Sequence, residues 1–343
     1  MPKRYLGNII TDTPTAPTDN YETTSASGVW SLAEAFAYTK AGLWPNAANP
    51  APSMQIFGGR NASDTVVNSL ERIVFATTGN ATDTCDLTAS AVNCAGGASK
   101  TRGIQYHSNN VSFTNVNVID YTTFSTTSNA VDFGDTSVTR GYMGALSSET
   151  RAVAINGYNG FNVLDYVTIS ATGNATDFGD SSTTAYGSVG AASPTRGIYQ
   201  LGYTSSRVNT LEYITIASTG NSTDFGDMQK VSEGLCGSAS NTTKALMYPS
   251  DGSNNFTVDQ VTIATTGNGT TFGDLSTSRA YQTASASHAR AVWAGGENTS
   301  SAKTNVIQYF TIASAGNASD FGDLAVARER AGSNSSQHGG IAA

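Results

Sequence analysis

The sequence predicts an all-β propeller of six four-stranded antiparallel blades, on three observations. A variant of Thr-Gly-Asn-x-Thr-Asp-Phe-Gly-Asp recurs six times, closing at Asp86, Asp135, Asp180, Asp227, Asp274 and Asp323. The intervals of 49, 45, 47, 47 and 49 residues are those of one supersecondary unit copied around a ring. The composition is poor in Leu and rich in Thr, Ser, Gly, Ala and Asn, which suits strands and tight turns better than helices.

The unit ending at Asp323 shows the four strands in order. Residues 279–287 are a run of small side chains ending in Thr-Ala-Ser-Ala-Ser, and His288-Ala289-Arg290 turns into a second strand, Ala291–Ala294, that closes on Gly295-Gly296. After a polar loop, Val306–Ile312 reads as the third strand, and the turn at Ala315-Gly316-Asn317 leads to a fourth, Ala318–Asp323. The small first strand belongs at the axis, where backbones converge. Apolar residues at both parities of the third strand, as in Leu164-Asp165-Tyr166-Val167, fit blades buried on both faces. Phe133, Phe178, Phe225, Phe272 and Phe321 are expected to plug the gaps between blades, at about 1.5–3 kcal/mol each if fully buried.

The repeats begin at a second strand, Met54–Phe57, and after the last motif one further first strand lies around residues 330–336. That C-terminal strand is expected to complete the N-terminal blade and close the ring without an exposed edge. Residues 339–342 also read as a seventh second strand, so seven blades or strand exchange between molecules stay open. The propeller therefore spans 54–343, and residues 1–53 form a separate segment.

These marks resemble kelch repeats: a Gly-Gly pair after the second strand (Phe57-Gly58-Gly59, Gly295-Gly296), a third-strand Tyr (Tyr166, Tyr213, Tyr309), a fourth-strand aromatic, and an Arg before the first strand (Arg140, Arg279, Arg328). The chain departs from that pattern where its middle units lack the Gly-Gly pair and Phe stands for the usual Trp. The resemblance implies a kelch-like propeller.

Asp-Phe-Gly-Asp invites a calcium site or a catalytic carboxylate pair. Calcium needs six to eight converging oxygens and a catalytic pair occurs once per active site, so a motif used six times is read as structural, with Gly-Asn turning the chain and Thr and Asp capping it. Asn-x-Ser/Thr triplets at Asn80, Asn174, Asn221, Asn268 and Asn317 fall in that turn and are read as turn chemistry. Cys85, Cys94 and Cys236 have no metal-ligand spacing, so no metal or cofactor is expected; Cys94 and Cys236 would lie on opposite sides of the ring, against a bridge between them, and a Cys85–Cys94 bridge stays open only if their strands are neighbours. The three histidines, His107, His288 and His338, form no triad with repeat-equivalent acids, and no enzyme activity is expected.

A formal net charge of -8 with 13% charged residues lacks a basic footprint for nucleic acid. No apolar run reaches the length of a membrane span or a signal-peptide core, so the chain is expected to stay in a cytoplasm after synthesis. Propellers bind on the end where the loops joining second to third and fourth to first strands gather. The variable loops there offer His107, Asn109, Tyr158, Asn159, Tyr203, Arg207, Asp251 and Asn254 as candidate ligand-binding residues.

In the N-terminal segment, Ser31 with Glu34 reads as the capping box of a short helix ending before Gly42. Trp30, Leu32, Phe36, Leu43 and Trp44 are too apolar to leave in water and are expected to dock on a partner. The strings Ser27–Leu32 and Ala41–Pro45 resemble the leader of virion structural proteins of tailed, especially marine, bacteriophages, some of which carry the same propeller repeat. That resemblance implies a virion protein assembled in the host cytoplasm, oligomeric in the particle, bound to other virion proteins through its N-terminal segment and in contact with host-surface glycan. Within it stand a tail fibre or adhesin, a capsid or tail decoration protein and, as a third class, a glycan hydrolase.

Overall fold

The computed structural model describes residues 14–18, 26–45, 51–232, 234, 236–249 and 256–341. The chain divides into two compact units, Met1–Ala51 and Pro52–Ala343.

In the first unit the helix Leu32–Lys40 starts at the Ser31–Glu34 capping box and stops at Ala41. Trp30 meets Tyr38 and Trp44 edge to face, with centroids 5.3 and 5.5 Å apart, and its indole N–H donates to Ala26 O. The helix buries no residue: Leu32 and Phe36, one turn apart, are 87% and 67% exposed.

The second unit is a ring of six four-stranded antiparallel sheets. Blade 1 joins Ser53–Phe57, Ser69–Val74 and Thr82–Asp86 to Gly332–Ser335, which pairs with Ser53–Phe57 as the innermost strand. The C-terminal strand thus completes the N-terminal blade. Blades 2 to 6 begin at Ala95–Ala98, Gly144–Ser147, Val189–Ala192, Ser238–Ser240 and Thr283–Ala286 and end at the fourth strands Val131–Asp135, Thr176–Asp180, Thr223–Ser232, Thr270–Asp274 and Ser319–Asp323. Residues 339–341 form no seventh strand. They cross the axis, where the Gly339 N–H donates to Ser240 O and His338 Nε2 lies 3.1 Å from Ser147 Oγ and 2.9 Å from Ala98 O. Close approach explains the small first strands: Ser147 Oγ donates to Ala98 O, Ser240 Oγ to Ala192 O and Ser335 Oγ to Ala286 O, each across a blade boundary.

The repeated motif is the outer fastening of the ring. In every blade the turn asparagine accepts a hydrogen bond from the N–H of the preceding blade's closing aspartate: Asn129 from Asp86, Asn174 from Asp135, Asn221 from Asp180, Asn268 from Asp227, Asn317 from Asp274 and Asn80 from Asp323, at 3.0–3.2 Å. The turn glycine N–H adds a bond to the Phe carbonyl, as from Gly173 to Phe133 O at 2.8 Å. A register shift in each fourth strand skips the motif Phe, or Thr84 in blade 1, so Leu164 faces Gly179 and Asp165 faces Asp177. This bulge turns Phe178 into the inter-blade core while Asp177 stays in solvent. All five motif Phe side chains are buried.

Two further contacts repeat around the ring. Arg102, Arg151, Arg196 and Lys244 donate to the carbonyls of Ile169, Ile216, Ile263 and Ile312 in the next blade, and Arg290 of blade 6 donates likewise to Phe75 O of blade 1. Four of these cations stack on the third-strand ring of their own blade, Arg151 over Tyr166 at 4.4 Å being the nearest. The third strands also carry buried Glu71, Asp120, Asp165, Glu212, Asp259 and Gln308. Each accepts a backbone N–H from the preceding blade, from Ala325, Thr88, Ser137, Ser182, Gln229 and Ser276 respectively. Four of the acids have close side-chain partners: Arg328 for Glu71, His107 for Asp120, Arg140 for Asp165 at 2.6 Å and the Tyr199 hydroxyl for Glu212. Burying a carboxylate is tolerable only with such partners. None of the three cysteines is in a disulfide, and burial pushes the Cys94 thiol up to about 12.

Two outcomes follow from these fastenings. A Cβ on Gly134 (φ +145°) would lie 2.5 Å from Gly173 O, so Gly134→Ala is expected to cost about 3 kcal/mol in denaturant unfolding. Gly79, whose Cβ would meet nothing within 4 Å, should tolerate Ala within about 0.5 kcal/mol. Burial raises the Asp259 carboxyl above its ordinary 3.8. The folded state then holds its proton longer than the unfolded chain, so this site's contribution to stability falls as pH climbs through that raised value. Asp259→Asn, an amide like that of Gln308, removes this loss, and the melting temperature of the variant relative to the parent should rise between pH 4 and pH 7. A pH-independent difference would contradict it.

Candidate ligand-binding site

Seven residues after each closing aspartate the chain enters the next blade through a left-handed residue: Asn93, Tyr142, Gly187, Gly234, Tyr281 and Arg330, with φ between +55° and +81°. The turn brings each backbone to its neighbour near the axis, so the Asn93 N–H donates to Arg330 O, that of Arg330 to Tyr281 O and that of Gly187 to Tyr142 O, at 2.8–3.0 Å. Glycine takes this conformation freely and asparagine does so readily. A tyrosine or arginine there costs about 1–2 kcal/mol.

These connections and the loops between second and third strands open into a cavity of about 450 Å³ lined by Phe113, Asn115, Tyr142, Tyr158, Tyr186, Tyr203, Tyr281 and Arg330. Tyr142, Tyr158 and Tyr186 touch edge to face at 5.2–6.0 Å, and Tyr186 lies tilted on Tyr203 at 5.1 Å. Beside it a second hollow of about 200 Å³ is walled by Tyr158, Asn159, Tyr186 and Tyr203. The Arg330 guanidinium stacks 3.7 Å from the centroid of Tyr281, and its Nη1 donates to Asn93 Oδ1. Phe113 is left-handed too, set by Asn110, whose Oδ1 accepts from the N–H groups of Ser112 and Thr114. Arg330 also borders the narrower channel along the axis, which is lined by inner-strand residues with Cys94 and Cys236. The C-terminal residues sit at the inner-strand ends Ala98, Ser147 and Ser240.

Of the candidates named from sequence, Tyr158, Asn159 and Tyr203 line these hollows, Tyr158 being 46% exposed. Arg207 is exposed on the same loop as Tyr203 and pairs with it in a short bridge. His107 and Asn109 do not reach the surface. His107 is buried with Nε2 3.0 Å from Asp120 Oδ2, because that acid needs a partner. Asn109 is fully buried behind the rim, accepting from Asn93 Nδ2 and donating to Asn115 Oδ1, both at 2.9 Å. Asp251 and Asn254 lie outside the described residues.

Sequence reasoning missed Tyr142, Tyr186, Tyr281, Phe113 and Arg330. The available signal was an aromatic six or seven residues after a closing aspartate, hidden because residues 279–287 were read as one strand although the strand proper is Thr283–Ala286.

Near Arg330, Glu329 is buried, and burial together with a hydrogen bond to Glu297 raises its carboxyl, while the same hydrogen bond lowers Glu297. Arg60 Nε donates to Glu329 Oε1 at 2.8 Å, and Lys303 Nζ lies 3.9 Å from it. Among the described residues, no cluster of His, Cys, Asp and Glu is arranged to hold a metal ion, and no helix is long and apolar enough to cross a membrane.

Comparison with protein-family models finds no match, and neither does comparison with curated protein sequences.

Proposed function

We propose that the chain is a non-enzymatic structural protein of a tailed-phage virion, an adhesin in which a kelch-like propeller presents its aromatic vestibule to host-surface glycan. The observation that carries this reading is the cluster of tyrosines from successive blades around one 450 Å³ hollow. Exposed aromatic faces stack on the apolar faces of sugar rings, and the neighbouring hydroxyls, amides and Asn115 serve sugar hydroxyls. A rigid ring holds these groups in place before the ligand arrives, which lowers the ordering cost of binding. The exposed Leu32 and Phe36 of the N-terminal helix, with Val29, supply the apolar surface by which the chain attaches to other virion proteins, in oligomeric form.

Glycan binding is tested by calorimetry and host-cell adsorption with Tyr158→Ala and Tyr203→Ala. Each should weaken binding about tenfold with the melting temperature nearly unchanged. Unaltered adsorption, coupled with particles that lose thermal stability when the protein is omitted, would instead favour the decoration role. A chain lacking residues 1–50 should fail to join particles, and its retention would overturn the attachment reading.

A further inference from the structure

We propose that the vestibule selects an acidic glycan, whose anionic group sits on Arg330 while its sugar rings lie against the surrounding tyrosines. This rests on the glycan-binding reading above and adds the charge class of the ligand and the residue that sets it.

Three observations meet at this residue. Among the described residues lining the vestibule, Arg330 is the one charged side chain, set in a wall otherwise of aromatic rings and an amide. The outer edge of its guanidinium is lightly used, with Nη1 reaching Asn93 at 3.3 Å, while Nε is buried without a hydrogen bond. The nearest acid, Glu329, is 3.9 Å from that Nε and is already served by Arg60 and Lys303. The third observation is the backbone. At φ +55° Arg330 occupies a position where the ring uses glycine twice and asparagine once, so a long cation is held there against its own backbone preference.

Among the described residues lining the vestibule no acidic side chain accompanies Arg330, on a chain whose formal net charge is -8. A planar guanidinium backed by a tyrosine ring presents its free edge to a carboxylate, sulfate or phosphate group.

The test uses the full chain with one host-type polysaccharide in three forms: carboxylated, carboxyl-reduced and sulfated. The carboxylated form should bind about tenfold or more tighter than the reduced form, and the preference should shrink as salt rises. Arg330→Asn, the residue found at the equivalent position 93, accommodates the left-handed backbone, so the fold should survive while the acidic preference disappears. Arg330→Lys should keep part of it. Sulfated binding equal to carboxylated binding identifies a general anion site, and weaker sulfated binding a carboxylate site; both support the proposal. Equal affinity for carboxylated and reduced forms, or an Arg330→Asn chain that still discriminates, overturns it and leaves the glycan reading standing. Silence toward all three forms overturns both.

Discussion

Everything in the propeller depends on one short-range bond made six times: the side-chain carbonyl of a turn asparagine receives the N–H of the previous blade's closing aspartate. A four-stranded sheet leaves its outer strand with unpaired backbone groups. Here the next blade's Gly-Asn turn covers that edge locally, and the bulge that makes room for it also drives a Phe into the seam. One stretch of sequence therefore protects an edge, sets the spacing of neighbours and fills the core between them. The asparagine stands at its place in all six turns, and in five motifs the residue before the closing aspartate is a glycine, Cys85 taking its place in blade 1; close approach of the next turn to that glycine explains why the string repeats while the loops around it drift.

Behind this outer belt, the acids of the third strands do a second job. Each caps a backbone N–H arriving from the neighbouring blade and is itself neutralised or hydrogen-bonded by whatever side chain lies within reach: arginine, histidine, tyrosine or, for Asp259, the Gln229 amide of the preceding blade. The partner is free to vary because the capping geometry is supplied by the backbone. This is why His107, whose chemistry attracts attention in a loop, belongs to the interior.

The ring itself was legible because periodicity is a global property. Strand order, small inner strands, the closing C-terminal strand and the Phe plugs all follow from comparing six copies. The vestibule was only half legible. Tyr158 and Tyr203 stand in loops that differ visibly between blades, whereas Tyr142 and Tyr281 stand at a backbone position shared by all blades, and only φ reveals that they occupy a glycine's place. Arg102 and its equivalents went unread for a different reason: each touches a carbonyl about 65–68 residues away, and a carbonyl carries no sequence signature.

Blade 1 draws its innermost strand from residues 332–335 and its second from 53–57, and Ser53 hydrogen-bonds Ser336 across 283 residues of chain. During synthesis the first blade must wait, incomplete, until residues 332–335 have left the ribosome. Its three early strands then lie with an open inner edge for many seconds at ordinary elongation rates, and the ring becomes a single cooperative object only at the last step. The chain is thus most exposed to mispairing with its siblings while it is being made, and least so once it is closed.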